Sequence, residues 1–274
     1  MSLITIIIPV RNCEKFISET LDILNTLPGL KILLADGNSS DSTINIVNKY
    51  IDNGLDIDII SYSDNGQSDA LNKLLTHVST PFFLWLNADD LISKEFITYA
   101  VNQIEIIEVF DRDKLVSITS NSIFIDEKSN FVKHQFALKD RSFLVRNGIW
   151  FGKFPCRVWN TKLVNNVNGL NKNLFYSMDF DLLRKQYLDN KNLFTIHSDK
   201  FMGAFRLHDD SKTGNPLNTP KVQNEMNNLL GRSFAGAVFA RILSIFLRIL
   251  NIKYIFYRFF GNFFHDHRKS DDSI

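Results

Sequence analysis

The 274 residues are 45% hydrophobic and 22% charged, a composition that indicates a folded globular protein and excludes a disordered one. Cys13 and Cys156 lie far apart without a C-x-x-C spacing, so neither a disulfide framework nor a structural zinc site is expected. The formal net charge is +1, but residues 231–274 hold seven Lys and Arg residues against three Asp. Basic groups placed in a tail, and not on the folded body, argue against a nucleic-acid partner.

Short apolar runs alternate with amphipathic segments through the first half of the chain. This alternation predicts βαβ units and an α/β fold whose mostly parallel central sheet is covered by helices on both faces. The first run lacks a preceding basic region, so we expect a strand and not a signal peptide, and a cytoplasmic protein. The predicted strands are 3–10, 31–36, 56–61, 82–87 and 115–119, and the predicted helices lie near 14–27, 41–52, 67–77 and 94–108.

The second half is less regular. A hairpin is predicted over 121–136, helices near 159–166 and 178–189, and short strands near 193–197 and 200–207. The polar segment 211–220 contains two of the six prolines and is typical of a linker. We therefore predict a domain over residues 1–215, a linker over 216–230 and an amphipathic helical tail over 231–274.

The run F-F-L-W-L-N-A-D-D-L at 82–91 ends in two adjacent carboxylates, Asp89 and Asp90. Parallel strands deliver ligand-binding groups at their carboxyl ends, so these carboxylates are expected at the mouth of a cleft. Carboxylates there suit Mg²⁺ or Mn²⁺ carrying the phosphates of a nucleotide diphosphate. The alternative is that Asp90 or Ser93 caps the helix that begins near Lys94.

Neither G-x-x-x-x-G-K-S/T nor G-x-G-x-x-G occurs in the sequence, which weakens P-loop and dinucleotide interpretations. Six other segments stand out: I-I-I-P-V-R-N (6–12), L-L-A-D-G-N-S-S-D-S-T (33–43), S-D-N-G-Q-S-D-A-L-N-K-L-L (63–75), L-N-A-D-D (86–90), the stretch 159–185 and G-A-F-R-L-H-D-D-S-K-T (203–213). In order and spacing they resemble the family 2 glycosyltransferases, whose nucleotide-sugar-binding fold is called GT-A. The resemblance runs from about residue 3 to 213.

The resemblance implies that Asn87, Ala88 and Asp89 are this chain's version of the family's D-x-D motif, with Asp89 as the metal ligand. The first acidic position of that motif is an asparagine here. His208 matches a position near the diphosphate, where an imidazole completes the metal shell, although a lone histidine is often structural. The implied cofactor is Mg²⁺ or Mn²⁺.

The resemblance also implies a set of donor-binding positions. Asp36 would hold the base or ribose, although an Asx-turn that organises the following loop is the alternative. Arg11 could instead be an ordinary surface residue. Lys73 could face a phosphate or be a solvated helix lysine. The implied donor-binding residues are Pro9, Val10, Arg11, Asp36, Asp64, Gly66, Gln67, Asp69, Asn87, Ala88, Asp89 and Arg206.

Asp179 aligns with the family's catalytic aspartate, although Met178 replaces the glutamate that usually precedes it. Inverting glycosyl transfer needs one carboxylate that accepts the proton of the acceptor hydroxyl. The resemblance therefore makes Asp179 the general base. The alternative is a first-turn helix residue favoured by the helix dipole.

Residues 233–250 are strongly apolar, yet Arg241, Ser244, Arg248 and Asn251 recur at helical spacing as a narrow polar stripe. Spanning a bilayer would place two arginines in hydrocarbon, at about 2.5–3.5 kcal/mol each. An interfacial helix avoids this cost, so we predict a peripheral protein on the inner face of the cell membrane. Packing on its own domain or on a second subunit is the alternative.

These observations predict an inverting glycosyltransferase that moves a sugar from a nucleotide-diphosphate sugar onto a lipid-linked glycan acceptor. The predicted setting is the synthesis of cell-surface polysaccharide. Two other functions are considered. A sugar nucleotidyltransferase would carry a glycine-rich, lysine-bearing N-terminal loop, which this sequence lacks. A catalytically silent scaffold would tolerate loss of Asp89 or Asp179, and both are present.

Overall fold

The computed structural model describes residues 2–27, 29–61, 66–150, 155–209, 211–212 and 216–250. The strands are β1 Ile4–Val10, β2 Lys31–Asp36, β3 Ile57–Ser61, β4 Phe82–Trp85, β5 Leu91–Ile92, β6 Leu115–Ile125, β7 Phe131–Gln135, β8 Arg157–Asn160 and β9 Phe194–Arg206. The helices are α1 Ile17–Asn25, α2 Thr43–Asp52, α3 Gln67–Leu75, α4 Lys94–Ile106, α5 Val109–Arg112, α6 Ser142–Arg146, α7 Thr161–Asn166, α8 Met178–Asp189, α9 Thr219–Leu229 and α10 Phe234–Leu250, with a 3₁₀ turn at Pro216–Asn218.

The described strands form one sheet in the order β3-β2-β1-β4-β8-β6-β9-β5, with β7 paired to β6. Strands β3, β2, β1 and β4 pair in parallel. Strand β8 is antiparallel to both of its neighbours, so β6 and its parallel partner β9 run in the direction of β1. Six of these strands therefore end at the same edge, which confirms the predicted mostly parallel sheet.

Helices cover both faces of the sheet because the strands are apolar on both sides. Ile6 and Ile8 of β1 pack with residues of α1, α2 and α4 in one core. Ile7 points to the opposite face and packs with residues of α3, α7 and α8 in a second core. Near-continuous apolar strands are the signature of a sheet buried on both faces, so the sequence pattern and the layers agree.

Two of the elements predicted in the second half differ in the structure. The predicted helix near 159–166 begins only at Thr161, because the chain is a strand up to Asn160, whose side chain then caps α7 by accepting the Leu163 N–H. The two predicted strands near 193–207 are one strand, β9, which pairs with β6 through three shifts of register. The predicted hairpin is confirmed as β6 and β7.

The segment 216–230, expected as a linker, contains the 3₁₀ turn and helix α9. Met226, Leu229 and Leu230 lie partly buried against the core that contains α8. Three apolar residues at helical spacing are enough to dock this helix. Because its other residues are mostly polar, composition alone indicated a linker. The packed part of the chain therefore extends beyond residue 215.

Gly203 of β9 lies so close to Cys156 and to the main chain of Leu91 in β5 that a side chain has no room there. A Cβ at this position would lie 2.4 Å from Cys156 Sγ and 2.9 Å from the Leu91 carbonyl oxygen. We expect Gly203→Ala to lower the free energy of unfolding by about 1–3 kcal/mol, the usual cost of overpacking. Chemical denaturation measures this loss.

The variant Cys156→Ala/Gly203→Ala is the matched control, since it removes the nearest clashing atom and leaves the Leu91 carbonyl. It should recover part of the loss, and the two substitutions should be non-additive. Additive losses would contradict the proposed contact.

Candidate functional site

The loops that follow β1 and β2 meet at the carboxyl edge of the sheet. Val10 pairs with Asp36 across the two strands, and the Gly37 N–H donates to the Val10 carbonyl at 2.9 Å. The Asp36 carboxylate accepts the Ser39 N–H at 3.1 Å and the Ser39 hydroxyl at 2.6 Å. Asp36 thus holds the loop through Ser39, three residues on, and is only 6% exposed.

Asn12 ties these two loops together. Its side-chain oxygen accepts the Ser40 N–H at 2.8 Å, and its own N–H donates to the Ser39 hydroxyl at 3.0 Å. Its φ of 50° is in the left-handed region, which asparagine tolerates. Pro9, also predicted to bind the donor, is half-buried, whereas Arg11 is exposed.

Asp89 and His208 form the centre of the candidate site. The carboxylate Oδ2 of Asp89 lies 2.8 Å from Nε2 of His208. Their side chains are 25% and 13% exposed, so both remain reachable from solvent. The ring of Phe16 lies 5.0 Å from the imidazole, centroid to centroid, and orients it. The structure therefore brings together the two residues predicted as metal ligands.

The adjacent Asp90 is a buried anchor. Its Oδ1 accepts the Arg206 N–H at 3.0 Å, and its Oδ2 accepts the side-chain amide of Asn87 at 2.9 Å. Burial raises the pKa of Asp90 well above its ordinary value, and the neighbouring charge of Asp89 raises it further. The nearby helix α4 is capped by Ser93, so the capping alternative holds for Ser93 and not for Asp90.

Asn87, at the first position of the predicted motif, serves this network as both donor and acceptor. While its amide donates to Asp90, its side-chain oxygen accepts from Gln67 Nε2 at 3.0 Å and from Trp85 Nε1 at 3.1 Å. An ionised aspartate could not donate to Asp90 and would add a second carboxylate beside a buried one. This explains why an asparagine occupies the position.

Arg206 was predicted to contact the donor, and the structure shows its side chain buried. Its side chain is 0% exposed and lies beneath the site, where Nη2 pairs with Glu19 at 2.6 Å. Its Nε donates to the Asp89 carbonyl at 2.9 Å, and its Nη1 donates to the Ser129 hydroxyl at 2.9 Å. Arg206 is therefore a positioning residue, which holds the main chain of Asp89.

Main-chain contacts fix the remaining residue of the predicted motif. Ala88 is buried, and its carbonyl accepts the Thr20 hydroxyl at 2.9 Å. The same hydroxyl contacts the Asp90 carbonyl at 3.1 Å. With Arg206 on the Asp89 carbonyl, helix α1 and strand β9 hold the loop from both sides.

Helix α3 supplies Gln67 to the site but not Asp69. Gly66 precedes the helix with a φ of 108°, which favours glycine. The Asp69 side chain is 4% exposed and pairs with Lys73 at 3.0 Å and with Lys172, so it joins α3 to the segment before α8 and does not line an open pocket. Lys73, considered as a phosphate contact or as a solvated helix lysine, lies in this ion pair. Asp64 lies outside the described residues.

Sequence reasoning did not single out Lys212. Its Nζ lies 3.2 Å from the Gln67 side-chain oxygen and 4.2 Å from the centroid of the Phe175 ring. It places a cation between the Asn87 network and the segment leading to α8. Its position four residues after His208, in a polar stretch that follows a strand, was the available signal.

Asp179 lies in the first turn of α8 and is partly exposed. Its Oδ1 accepts the N–H of Phe180 at 2.8 Å. This carboxylate is thus held at the start of a helix, where the dipole favours negative charge. Phe180 is buried and faces Trp150, with the ring centroids 5.9 Å apart.

The paired oxygen and nitrogen of Asp89 and His208 fit a divalent ion. Mn²⁺ accepts carboxylate and imidazole ligands, and a diphosphate with water would complete the shell. Among the described residues there is no group of three or more His, Cys, Asp or Glu side chains that could hold a metal. A two-residue protein contribution suits an ion that is held jointly with a phosphate ligand.

A cavity of about 690 Å³ opens elsewhere, at the amino ends of β1 and β2. Its lining includes Thr5, Leu33 and Asp58. This cavity is at the opposite edge of the sheet from Asp89, so we place the site by its chemistry and not by cavity size.

Comparison with known proteins agrees with this geometry. The family model described as Glycosyl transferase family 2 matches residues 5–165. Chondroitin synthase of Escherichia coli is 23% identical over 190 residues, which cover 67% of this chain but only 26% of that protein. This chain thus spans about a quarter of the length of that curated relative.

Solved structures share the fold. S. aureus TarS 1-349 in complex with UDP-GlcNAc has a TM-score of 0.63 at 19% identity, covering 83% of this chain and 65% of that one. Glucosyl-3-phosphoglycerate synthase from Mycobacterium tuberculosis, in complex with Mn²⁺, UDP and phosphoglyceric acid, has a TM-score of 0.59 at 15% identity, covering 84% of this chain and 79% of that one.

These structures show that the chain has the GT-A fold. The matched region spans more than half of the sequence, and the chain belongs to glycosyl transferase family 2.

The Asn87 network can be tested by Asn87→Asp, which removes the donor to Asp90. We expect the free energy of unfolding at pH 7 to fall by about 2 kcal/mol, because a buried acceptor loses its partner and two carboxylates become neighbours. Folding would raise the pKa of these carboxyls above the unfolded value of about 3.9. Such groups favour the folded state below that value and lose this contribution as pH rises, so the deficit should shrink towards pH 4.

Urea denaturation at several pH values measures the deficit. The exposed Asn192→Asp is the control, and it should show little change. A deficit of Asn87→Asp that does not depend on pH would contradict this explanation.

Proposed function

We propose that this protein moves a sugar, with inversion, from a nucleotide-diphosphate sugar onto a glycan acceptor, which is lipid-linked, in cell-surface polysaccharide synthesis. The observation that carries the proposal is the pairing of Asp89 with His208 at the carboxyl edge of the sheet, in a chain of glycosyl transferase family 2. The family, the fold and the nucleotide complexes of the fold neighbours support a nucleotide-sugar donor.

Asp89 and His208 would hold Mg²⁺ or Mn²⁺. A divalent ion there supplies positive charge that stabilises the departing diphosphate. Arg206 holds the Asp89 main chain, and Phe16 orients the imidazole, so both ligands are positioned before the donor arrives. Lys212, held by Gln67, supplies a further cation at this edge of the sheet.

Asp179 is the proposed general base. As the acceptor oxygen forms its bond to the anomeric carbon, the acceptor hydroxyl transfers its proton to the Asp179 carboxylate, and the bond to the diphosphate breaks. A single displacement of this kind inverts the anomeric configuration and needs no covalent enzyme intermediate. The scaffold alternative predicts donor binding without transfer.

Two isosteric substitutions separate the roles of donor binding and chemistry. Asp89→Asn should weaken Mn²⁺-dependent donor binding more than about tenfold, because even groups that only support a metal ligand contribute about 10–100-fold. Asp179→Asn should leave donor binding unchanged and lower kcat by about 10²–10⁴-fold. Calorimetry with a panel of nucleotide sugars measures donor binding, and a transfer assay measures kcat.

Inversion is checked by NMR of the product anomer.

Near-normal turnover of Asp179→Asn would remove Asp179 from the mechanism. Unchanged metal dependence of donor binding in Asp89→Asn would remove Asp89 from the metal site. Wild-type protein that binds a donor but transfers no sugar to glycan acceptors would favour the scaffold.

Helix α10 supports peripheral membrane association. Ala240 is buried, while five large apolar side chains on the opposite face are 43–67% exposed. Arg241 is exposed beside them. Among the described residues, no helix has both the length and the apolarity to cross a bilayer. The part of the tail after residue 250 lies outside the described residues. The five side chains are Val238, Phe239, Ile242, Ile245 and Phe246.

An exposed apolar face with an adjacent cation is the pattern of a helix that lies in a membrane interface. The basic excess in residues 231–274 adds attraction to anionic lipids, by about 1 kcal/mol per basic residue near the surface. Membrane binding would bring the enzyme to a lipid-linked acceptor.

The triple variant Phe239→Ser/Ile242→Ser/Phe246→Ser should reduce flotation with anionic vesicles at least about tenfold. Burial of each side chain contributes about 1.5–3 kcal/mol, and about 1.4 kcal/mol corresponds to tenfold. Removal of residues 233–274 should have at least the same effect and leave donor binding intact. Activity on a lipid-linked acceptor should fall more than activity on a water-soluble analogue.

Phe110→Ser is the matched control, because Phe110 is 76% exposed but lies on α5. It should float like the wild type. Equal recovery of all variants with vesicles would assign α10 to packing or oligomerisation instead.

A further inference from the structure

A carboxylate from α9 binds the main chain immediately before α8. The two oxygens of Glu225 accept three N–H groups, from Phe175 at 2.8 Å, Tyr176 at 2.8 Å and Ser177 at 2.7 Å. Phe175 is exposed and Tyr176 partly exposed, so these N–H groups lie near solvent but are held by a protein anion.

This contact determines where α8 begins. Ser177 precedes the first helical residue, and its carbonyl accepts the Asp181 N–H at 2.9 Å, the first bond of the helix. Its hydroxyl makes no hydrogen bond, so it does not cap the helix in the usual way. The anionic carboxylate of Glu225 bonds the main chain there instead, and its charge suits the positive end of the helix dipole.

Glu225 is itself fixed, because α9 is docked. Met226, Leu229 and Leu230 pack against the core that contains α8. Two residues after Leu230, the Arg232 guanidinium donates to the Asn147 carbonyl in the loop after α6. The carboxylate is thus carried by a helix that is docked at its C-terminal end.

Asp179 lies two residues beyond Ser177, and its carboxylate is held by the adjacent Phe180 N–H. A change in the path of residues 175–177 would therefore shift this carboxylate relative to an acceptor hydroxyl. We propose that Glu225 is a positioning residue for glycosyl transfer, which sets the place of Asp179 by holding the start of α8. This inference rests on the proposed role of Asp179 as base.

The same geometry couples the C-terminal segment to the reaction. Helix α9 carries Glu225, and α10 follows it after four residues. The element that bears the proposed membrane face is therefore continuous with the element that holds the catalytic helix. Removal of the chain from residue 216 onward should abolish transfer, whereas removal from residue 233 onward should spare it on a soluble acceptor.

The test uses the full chain with Glu225→Ala and Glu225→Gln, and with Asn224→Ala as control, an exposed neighbour on the same helix. Glu225→Ala should lower kcat by about 10–100-fold, since misplacement by about 1 Å costs up to about 10²-fold. The KM for donor should not change. Glu225→Gln keeps an acceptor oxygen and should lose less, while Asn224→Ala should match the wild type.

A double-mutant cycle identifies the route of the effect. In the Asp179→Asn background, Glu225→Ala should cause no further loss of kcat, because the group that it positions is already absent. An equal loss in both backgrounds would overturn the inference while leaving the proposed function intact.

Amide hydrogen exchange supplies a readout that does not depend on activity. Glu225→Ala should speed exchange at residues 175–177 at least about tenfold, with little change in the strands. Unchanged exchange there would overturn the inference even if the protein transferred no sugar. The proposed function itself is tested separately, by whether the wild-type protein transfers sugar to an acceptor.

Discussion

The buried guanidinium of Arg206 is the interaction on which the geometry of the site depends. A buried charge without partners costs several kcal/mol, and here the charge is compensated by Glu19 together with main-chain carbonyl groups. These partners lie on helix α1, in the loop between β4 and β5, and just after β6. The cation therefore determines how three elements pack together. Its bond to the Asp89 carbonyl fixes the main chain of Asp89 against them.

A second constraint is that the Asn87 side chain must both donate and accept hydrogen bonds. Its amide satisfies the buried Asp90, and its oxygen takes bonds from Gln67 and Trp85. An asparagine stands at the first position of the motif, where the family has an acidic residue. The network indicates a physical reason, because this position must donate as well as accept. The acidic residue that remains at the last position of the motif, Asp89, is paired with His208.

The C-terminal segment joins the packed domain to the exposed apolar helix α10. Polar composition between residues 216 and 230 suggests a flexible connection, yet Glu225 and three apolar contacts dock it against α8. Helix α9 thus contacts the start of α8 and is followed after four residues by the amphipathic helix α10. This arrangement makes the packed domain longer than the family match over residues 5–165.

The sequence by itself determined the alternation of strands and helices, the mostly parallel sheet, and the edge at which the site lies. These follow from local apolar patterns and from the rule that parallel strands deliver their ligands at one edge. Asp89 and His208 were predicted as metal ligands, and the fold places their side chains 2.8 Å apart. The docking of α9 was missed, because three apolar residues in a polar segment give little local signal.

The tertiary structure alone decided which polar residues face the site and which support it. Arg206 and His208 are two residues apart, yet one is fully buried and the other remains accessible. Arg206 meets Glu19 across 187 positions, and Ser177 meets Glu225 across 48. Local patterns specify secondary structure and burial, but pairings between distant charges depend on how the elements pack. For that reason the sequence could place Arg206 near Asp89 without revealing that it lies beneath it.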